Sequence, residues 1–252
     1  LARVCMSAAF LSTLQSDTEA GAEWVRRGLV LSRHVSHEGE AIACLVAFAT
    51  DAIALKAAER VVAAGPVPLA SARRVSAELQ AVDYMAACAA GFADERARVL
   101  DLYESVRLNP ASNPLASSGA PAGTLTPTQS MRELALTVAE VAYRRSSAIW
   151  ADELRYLKLT GEVDRLLPYP WRNTHLRWAA METQPGVLYS LSIAAQLEPS
   201  YVGRLVQKRD TAIARRALLQ TALALNRHKA ENGAYPKALG EVRIEGLRIP
   251  ED

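Results

Sequence analysis

Thr211-Ala-Ile-Ala-Arg-Arg-Ala-Leu-Leu-Gln-Thr-Ala-Leu-Ala-Leu-Asn-Arg-His-Lys-Ala-Glu-Asn232, followed by Gly233-Ala-Tyr235-Pro236-Lys-Ala-Leu239, is the stretch from which the fold of this chain is read. Ile213, Ala217, Leu218, Thr221, Ala224 and Leu225 recur at steps of three and four, which predicts a helix with that stripe toward a core and Arg215, Arg216, Arg227 and Lys229 toward water. The stop is written as clearly. Gly233 can take the left-handed conformation after the last turn, and Pro236 cannot continue the old helix but can sit in the first turn of a new one. The reading is helix, stop, short helix.

Upstream the same period recurs. Val4 to Leu14 fits a short apolar helix, and Asp17 caps Thr18 to Val35, with Ala22, Val25, Leu29 and Ser32 inward. Ser36 is placed to cap the next helix, on which Ile42, Leu45, Val46, Phe48, Ile53, Leu55, Val61 and Val62 fall on nearly every side, the mark of a buried helix. Gly65-Pro66-Val-Pro68 ends it, and Leu69 to Val82 and Tyr84 to Val106 follow. Four prolines, glycines and serines make Leu108 to Gln129 a loop or linker. Ser130 to Lys158 resumes a helix that ends near Thr160-Gly161, Pro168-Tyr-Pro170 forces a turn, and Trp171 to Met181, Val187 to Gln196 and the final helix from about Ser200 complete the series.

The fold class expected is therefore all-α, in antiparallel helical hairpins similar to a tetratricopeptide-like array, with a short extended C-terminal tail. Trp24-x-x-x-Gly28 resembles the opening of a tetratricopeptide unit, but no second copy follows at the repeat's spacing. By segment, 1–107 is a helical-hairpin half, 108–129 the linker, and 130–252 a second helical half. Val242 to Ile249 alternates loosely like a strand; a lone strand gains little by burial, so Val242 to Asp252 is expected to be poorly packed, with Tyr235 and Leu239 held against the final helix.

Composition excludes several classes. Half of the residues are hydrophobic and 22% charged, an ordinary globular balance rather than a disordered one. The 29 Lys and Arg and 27 Asp and Glu are scattered through the same segments, which argues against nucleic acid as a partner, since that footprint concentrates cations on one face. Cys5, Cys44 and Cys88 lack any Cys-x-x-Cys spacing and imply neither a disulfide framework nor a zinc site; in Ala-rich helices, Cys44 and Cys88 read as small buried thiols. No uninterrupted apolar run reaches the roughly eighteen residues of a membrane span.

Three constellations invite chemistry. His34-Val-Ser-His37-Glu38 gathers two imidazoles and a carboxylate, but lacks the His-Glu-x-x-His order that puts two ligands on one helix face, and Ser36 assigns the histidines to different helices; no metal is expected. Trp171, Thr174, His175, Trp178 and Glu182 share one helix face, the best candidate for a binding stripe, although rings packed against a helical body with their N–H groups satisfied are the more ordinary reading. Asp94-Glu95-Arg96 could do acid–base work only in a cleft and otherwise reads as a solvated face. With no phosphate loop and no Gly-x-Ser-x-Gly, spacing nominates no nucleophile and base, so no catalytic residue or cofactor is expected.

Leu-Leu-Gln-x-Ala-Leu-x-Leu-x-Arg-x-Lys-x-Glu-Asn-Gly-x-Tyr-Pro-x-x-Leu, residues 218 to 239, resembles the place in major pseudopilins of type II secretion where the long helix ends at an Asn-Gly-x-Tyr-Pro turn; its turn residues here are Gly233, Tyr235, Pro236 and Leu239. It is also similar to a set of uncharacterised bacterial, planctomycete-like proteins in which this turn closes a helical body anchored by one N-terminal span. That likeness extends to Gly28-x-x-x-x-Arg33-His34, to Asp94-Glu95-Arg96 and to Leu197-Glu-Pro199. The resemblance implies a non-enzymatic interaction or scaffold domain of a cell-envelope protein, with a protein partner and a membrane anchor upstream. A chain that opens at Leu1 rather than Met fits a missing upstream segment. The alternatives are a secretion or pilus-like assembly subunit, an unrecognised hydrolase using His34, His37 and acids, and a cytoplasmic location.

Overall fold

The computed structural model describes residues 1–108, 146–182 and 199–247. The chain is all-α: 83% of the described residues are helical and none lies in a strand. The helices are α1 (Ala2–Leu14), α2 (Thr18–Ser36), α3 (Ala41–Ala64), α4 (Leu69–Gln80), α5 (Tyr84–Leu108), α6 (Ala148–Leu166), α7 (Trp171–Glu182) and α8 (Pro199–Asn232), followed by a 3₁₀ turn at Leu239–Glu241. The expected loop 108–129, except Leu108, and the expected helix at Val187 to Gln196 lie outside the described residues, as does the part Ser130 to Arg145 of the helix expected over Ser130 to Lys158.

Two compact units are present, one of Leu1–Phe92 with Leu205–Asp252, the other of Ala93–Arg204. They are not the sequential halves read from the proline-rich stretch, because α5 and α8 each contribute residues to both units. In the first unit, α2 packs on α1, α3 and α4, and α1 also packs on α3. Its core gathers Val25 and Leu29 of α2, Leu55 and Val61 of α3, Val75 and Leu79 of α4, and Leu219 and Leu223 of α8. Local rules set the boundaries. Asp17 accepts the Ala20 N–H at 2.9 Å, and Asp83 accepts those of Met85 and Ala86 at 2.9 and 3.0 Å, so each starts a helix by satisfying orphan donors.

The stop after α3 is held from a distance. Asn226 of α8 donates to the Val62 and Gly65 carbonyls at 3.1 and 2.9 Å and accepts the Val67 N–H at 3.0 Å, filling the backbone valences that Pro66 and Pro68 leave open. In the second unit, Tyr103 and Val106 pack with Ile149 and Tyr156, and the Tyr103 hydroxyl donates to Asp152 at 2.8 Å.

Several local expectations are corrected. Ser36 does not cap α3: it closes α2, donating to the Arg33 carbonyl at 2.8 Å, and α3 begins after Glu40 without a side-chain cap. Helix α3 is not buried all round, since Ile42 and Val46 are 66% and 47% exposed. It is nonetheless long and apolar enough to cross a membrane by length and composition, which the test of uninterrupted runs misses; 61% of its most apolar window is buried within the protein, as for the core helix of a helical body. Helix α6 runs on through Thr160-Gly161 to Leu166, a single glycine costing only about 1 kcal/mol in a helix.

The inner face of α8 is rotated from the expected one. Ala212, Arg216, Leu219, Gln220, Leu223 and Ala224 are buried, whereas Ile213 and Leu218 face solvent. The tail also differs from expectation. Val242 and Leu247 are buried in the first core, Leu247 N–H returns to the Ile244 carbonyl at 3.1 Å, and Arg73 Nε donates to the Glu245 carbonyl at 2.8 Å. A tight turn with Gly246 at φ +79° satisfies its own backbone, so burial of two aliphatics needs no sheet partner. Residues 248–252 lie outside the described ones.

Candidate functional site

The most concentrated chemistry sits inside the first unit. Arg216 of α8 faces Asp51 of α3, its Nε donating to the two carboxylate oxygens at 3.1 and 3.0 Å and its Nη2 to Oδ1 at 2.6 Å. Nη1 donates to the Leu79 carbonyl at 3.0 Å, and Nη2 to the Tyr84 hydroxyl at 3.2 Å. Ser32 lies 2.9 Å from that hydroxyl and donates to the Ala47 carbonyl at 2.9 Å. Four segments of chain are thus tied to one guanidinium. Burial opposes the Arg216 charge, but the Asp51 carboxylate outweighs it and holds the guanidinium's pKa above its ordinary value. Burial, with Asp51 next, pushes the Tyr84 hydroxyl up, so it stays protonated.

A Ser, Tyr, Asp and Arg in contact resemble catalytic parts, yet Asp51 and Ser32 are fully buried and every polar atom just described is spent on another. The cluster fixes helices.

Outside it lies a cleft of about 230 Å³ lined by Leu45, Phe48, Ala52 and Leu55 of α3 and by Lys208, Thr211, Ala212 and Arg215 of α8. Its floor is apolar, with Asp51 already neutralised by Arg216. Lys208 and Arg215 are exposed, and neither makes an ion pair among the described residues. Ile42, one helical step before Leu45, and Val46 beside it carry the apolar line outward along α3. The arrangement can bind an apolar body that carries negative charge. A second outward apolar face belongs to α1, which turns Ala9 and Ser12 inward and leaves Val4, Leu11 and Leu14 exposed.

The residues expected from sequence fall elsewhere. In the second unit Trp178 is fully buried, its indole N–H donating at 3.0 Å to Thr174, which donates to the Pro170 carbonyl at 3.1 Å. Trp171 packs on Gly203 of α8, where a Cβ would lie 3.1 Å from its ring. His175 is exposed with Nδ1 3.1 Å from the Arg172 carbonyl; the Glu182 side chain lies outside the described ones. Trp178 and Thr174 are therefore taken up by packing, and His175 is the stripe residue that faces solvent. His34 and His37 both stand at the end of α2, exposed, not on separate helices. Asp94 pairs with Arg98 at 3.0 Å, and Arg96 with Asp164. Gly233 has φ +78° and returns its N–H to the Lys229 carbonyl at 2.8 Å; Lys229 covers the Tyr235 ring at 4.7 Å, whereas Leu239 is half exposed.

Sequence reasoning missed Asp51 with Arg216, and the pair Lys208 and Arg215. A signal existed for the first: Asp51 is the single charge between Ala41 and Leu55, and a lone charge in an apolar helix needs a buried partner. Compared with known proteins, the chain matches no protein-family profile, no curated protein and no solved structure.

Proposed function

We propose that this chain is a non-enzymatic interaction domain of a bacterial cell-envelope protein, held to the membrane by a span upstream of Leu1, and that the cleft between α3 and α8 seats an acidic amphipathic helix of a partner protein. The observation that carries the reading is the pairing of an open apolar floor with two exposed cations, Lys208 and Arg215, that have no ion-pair partner among the described residues. An amphipathic helix laid along Ile42, Leu45 and Ala49 would bury its apolar stripe and bring carboxylates on its flank to the cations. The envelope assignment rests on the likeness of residues 218 to 239, and the left-handed Gly233 supports the turn in that likeness.

The test is quantitative pull-down from native membranes with the full-length protein, comparing wild type with Val46→Glu and with Lys208→Glu/Arg215→Glu. Loss of the same partner with both variants, folded by circular dichroism, supports the reading. An unchanged set of bound proteins overturns the cleft as the docking site, and recovery of secretion machinery moves the assignment to an assembly subunit.

A further inference from the structure

Helices α3 and α5 cross in an antiparallel register that three separate contacts define. A Cβ on Gly91 would lie 3.1 Å from Ala41 N and 3.3 Å from Ala41 Cα, so those two Cα atoms are within about 5 Å once a C–C bond of about 1.5 Å is added. At the other end of the crossing, the Phe48 and Tyr84 rings meet edge to face with centroids 4.9 Å apart. Residue numbers rise by seven on α3 between these points and fall by seven on α5, which leaves Cys44 facing Cys88 in the middle. Cys44 Sγ donates at 3.5 Å to the carbonyl of Ala87, the residue before Cys88. Both cysteines are buried; Cys5, on α1, is not part of the pair.

We propose that Cys44 and Cys88 form a redox-active dithiol, which a small hydroperoxide converts into a disulfide joining α3 to α5. At Gly91 and Ala41 the two backbones come within the Cα separation of about 4.4–6.8 Å that a disulfide bridges, and Cys44 and Cys88 lie about one helical turn along the same crossing. Their burial selects for a small oxidant over a protein one. The neighbouring Cys88 thiol draws the Cys44 thiol below its ordinary pKa, while Cys44, together with burial, pushes Cys88 up, so of the two thiols placed level on the crossing Cys44 is the nucleophile. The Cys44 thiolate attacks one peroxide oxygen, the O–O bond breaks, and hydroxide leaves to take up a proton as water; Cys44 is oxidised to the sulfenic acid as the peroxide is reduced. The Cys88 sulfur then attacks the sulfenic sulfur, the S–O bond breaks, and a second water leaves with the Cys88 proton. In sum, two thiols and one hydrogen peroxide give one disulfide and two waters.

The experiment treats the purified full chain with hydrogen peroxide, unfolds it in an alkylating agent, and maps the peptides by mass spectrometry. The expected product lacks two of its three alkylatable thiols, shows a cross-link between the Cys44 and Cys88 peptides with a mass loss of about 2 Da for the two hydrogens, and keeps Cys5 free. It should melt several degrees higher than the reduced chain and revert on reduction. Cys88→Ser should stop at a sulfenic acid on Cys44 that a dione reagent traps; should that variant not fold, the wild-type map alone decides. Cys44 and Cys88 remaining alkylatable at full peroxide excess, or a dimer linked through Cys5 as the main product, overturns the proposal.

Discussion

Replacing Asp51 by Ala tests whether the first unit is held at the guanidinium of Arg216. The variant removes the carboxylate that takes three of the Arg216 contacts, at 2.6 to 3.1 Å, and leaves the charge with the Glu78 and Leu79 carbonyls and the Tyr84 hydroxyl, none of them charged. A buried charge stripped of its counter-ion costs about 3–5 kcal/mol, a large part of the ~5–15 kcal/mol by which a domain is stable. Arg216→Met alone should cost a similar amount, because Asp51 is then the orphan. Asp51→Leu with Arg216→Met removes both charges; what remains is the unpaired Leu79 carbonyl at about 1–3 kcal/mol, while Tyr84 keeps its contact with Ser32. Urea unfolding followed by circular dichroism, with all variants fitted to one slope, supplies the numbers. The double variant should be more stable than either single one. Additive losses, or a cost below about 1 kcal/mol for Asp51→Ala, would refute the reasoning and leave the ion pair as a bystander of packing.

Three further outcomes follow from single positions. Gly233→Val should destabilise by ~1–2 kcal/mol in the same unfolding assay, wholly from backbone strain, since φ is +78° and a Cβ there meets nothing within 4 Å. Gly91→Val should cost about 1–3 kcal/mol by overpacking against the Ala41 backbone, and a melting point equal to wild type would place the α3–α5 crossing elsewhere. Hydrogen bonding from Arg26, at 2.9 and 2.8 Å, draws the Glu23 carboxyl from its ordinary 4.5 to about 2. The folded value lies below the unfolded one, so the stability it adds is present above 4.5 and lost as the pH falls toward 2; Glu23→Gln should flatten the melting curve's pH dependence in that window, by no more than about 1 kcal/mol for a pair 30% exposed.

Helix existence was legible because it depends on neighbours in sequence. Asp17, Pro66 and Gly233 act through a hydrogen bond or a dihedral within a few residues, and the structure places a helix boundary at each, with Asn226 adding its long-range hold on the stop after α3. Which face of a helix turns inward was less legible where the face is decided by a residue far away in sequence. On α2 the stripe of Ala22, Val25, Leu29 and Ser32 is simple hydrophobic phase, and all four are buried. On α8 two phases compete, one led by Ile213 and Leu218, the other by Leu219 and Leu223, and both carry arginines. Apolar content alone does not separate them.

What separates them is a charge on another helix. Asp51 sits 165 positions before Arg216, on the apolar helix that forms the middle of the first core, and must either draw in a cation or stay out of that core. Turning Arg216 inward rotates α8 by the amount that buries Leu219 and Leu223 and strands Ile213 and Leu218 outside. The same rotation carries Asn226, ten residues on, to the backbone of the α3 stop, and sets Lys208 and Arg215 at the two ends of the cleft's wall. The candidate site therefore inherits its cations from the core: Lys208 precedes Arg216 by eight residues, about two helical turns, and Arg215 adjoins it, so the face that buries Arg216 also aims its neighbours at the rim. A helix phase chosen by hydrophobicity alone would have left the cleft without its charges.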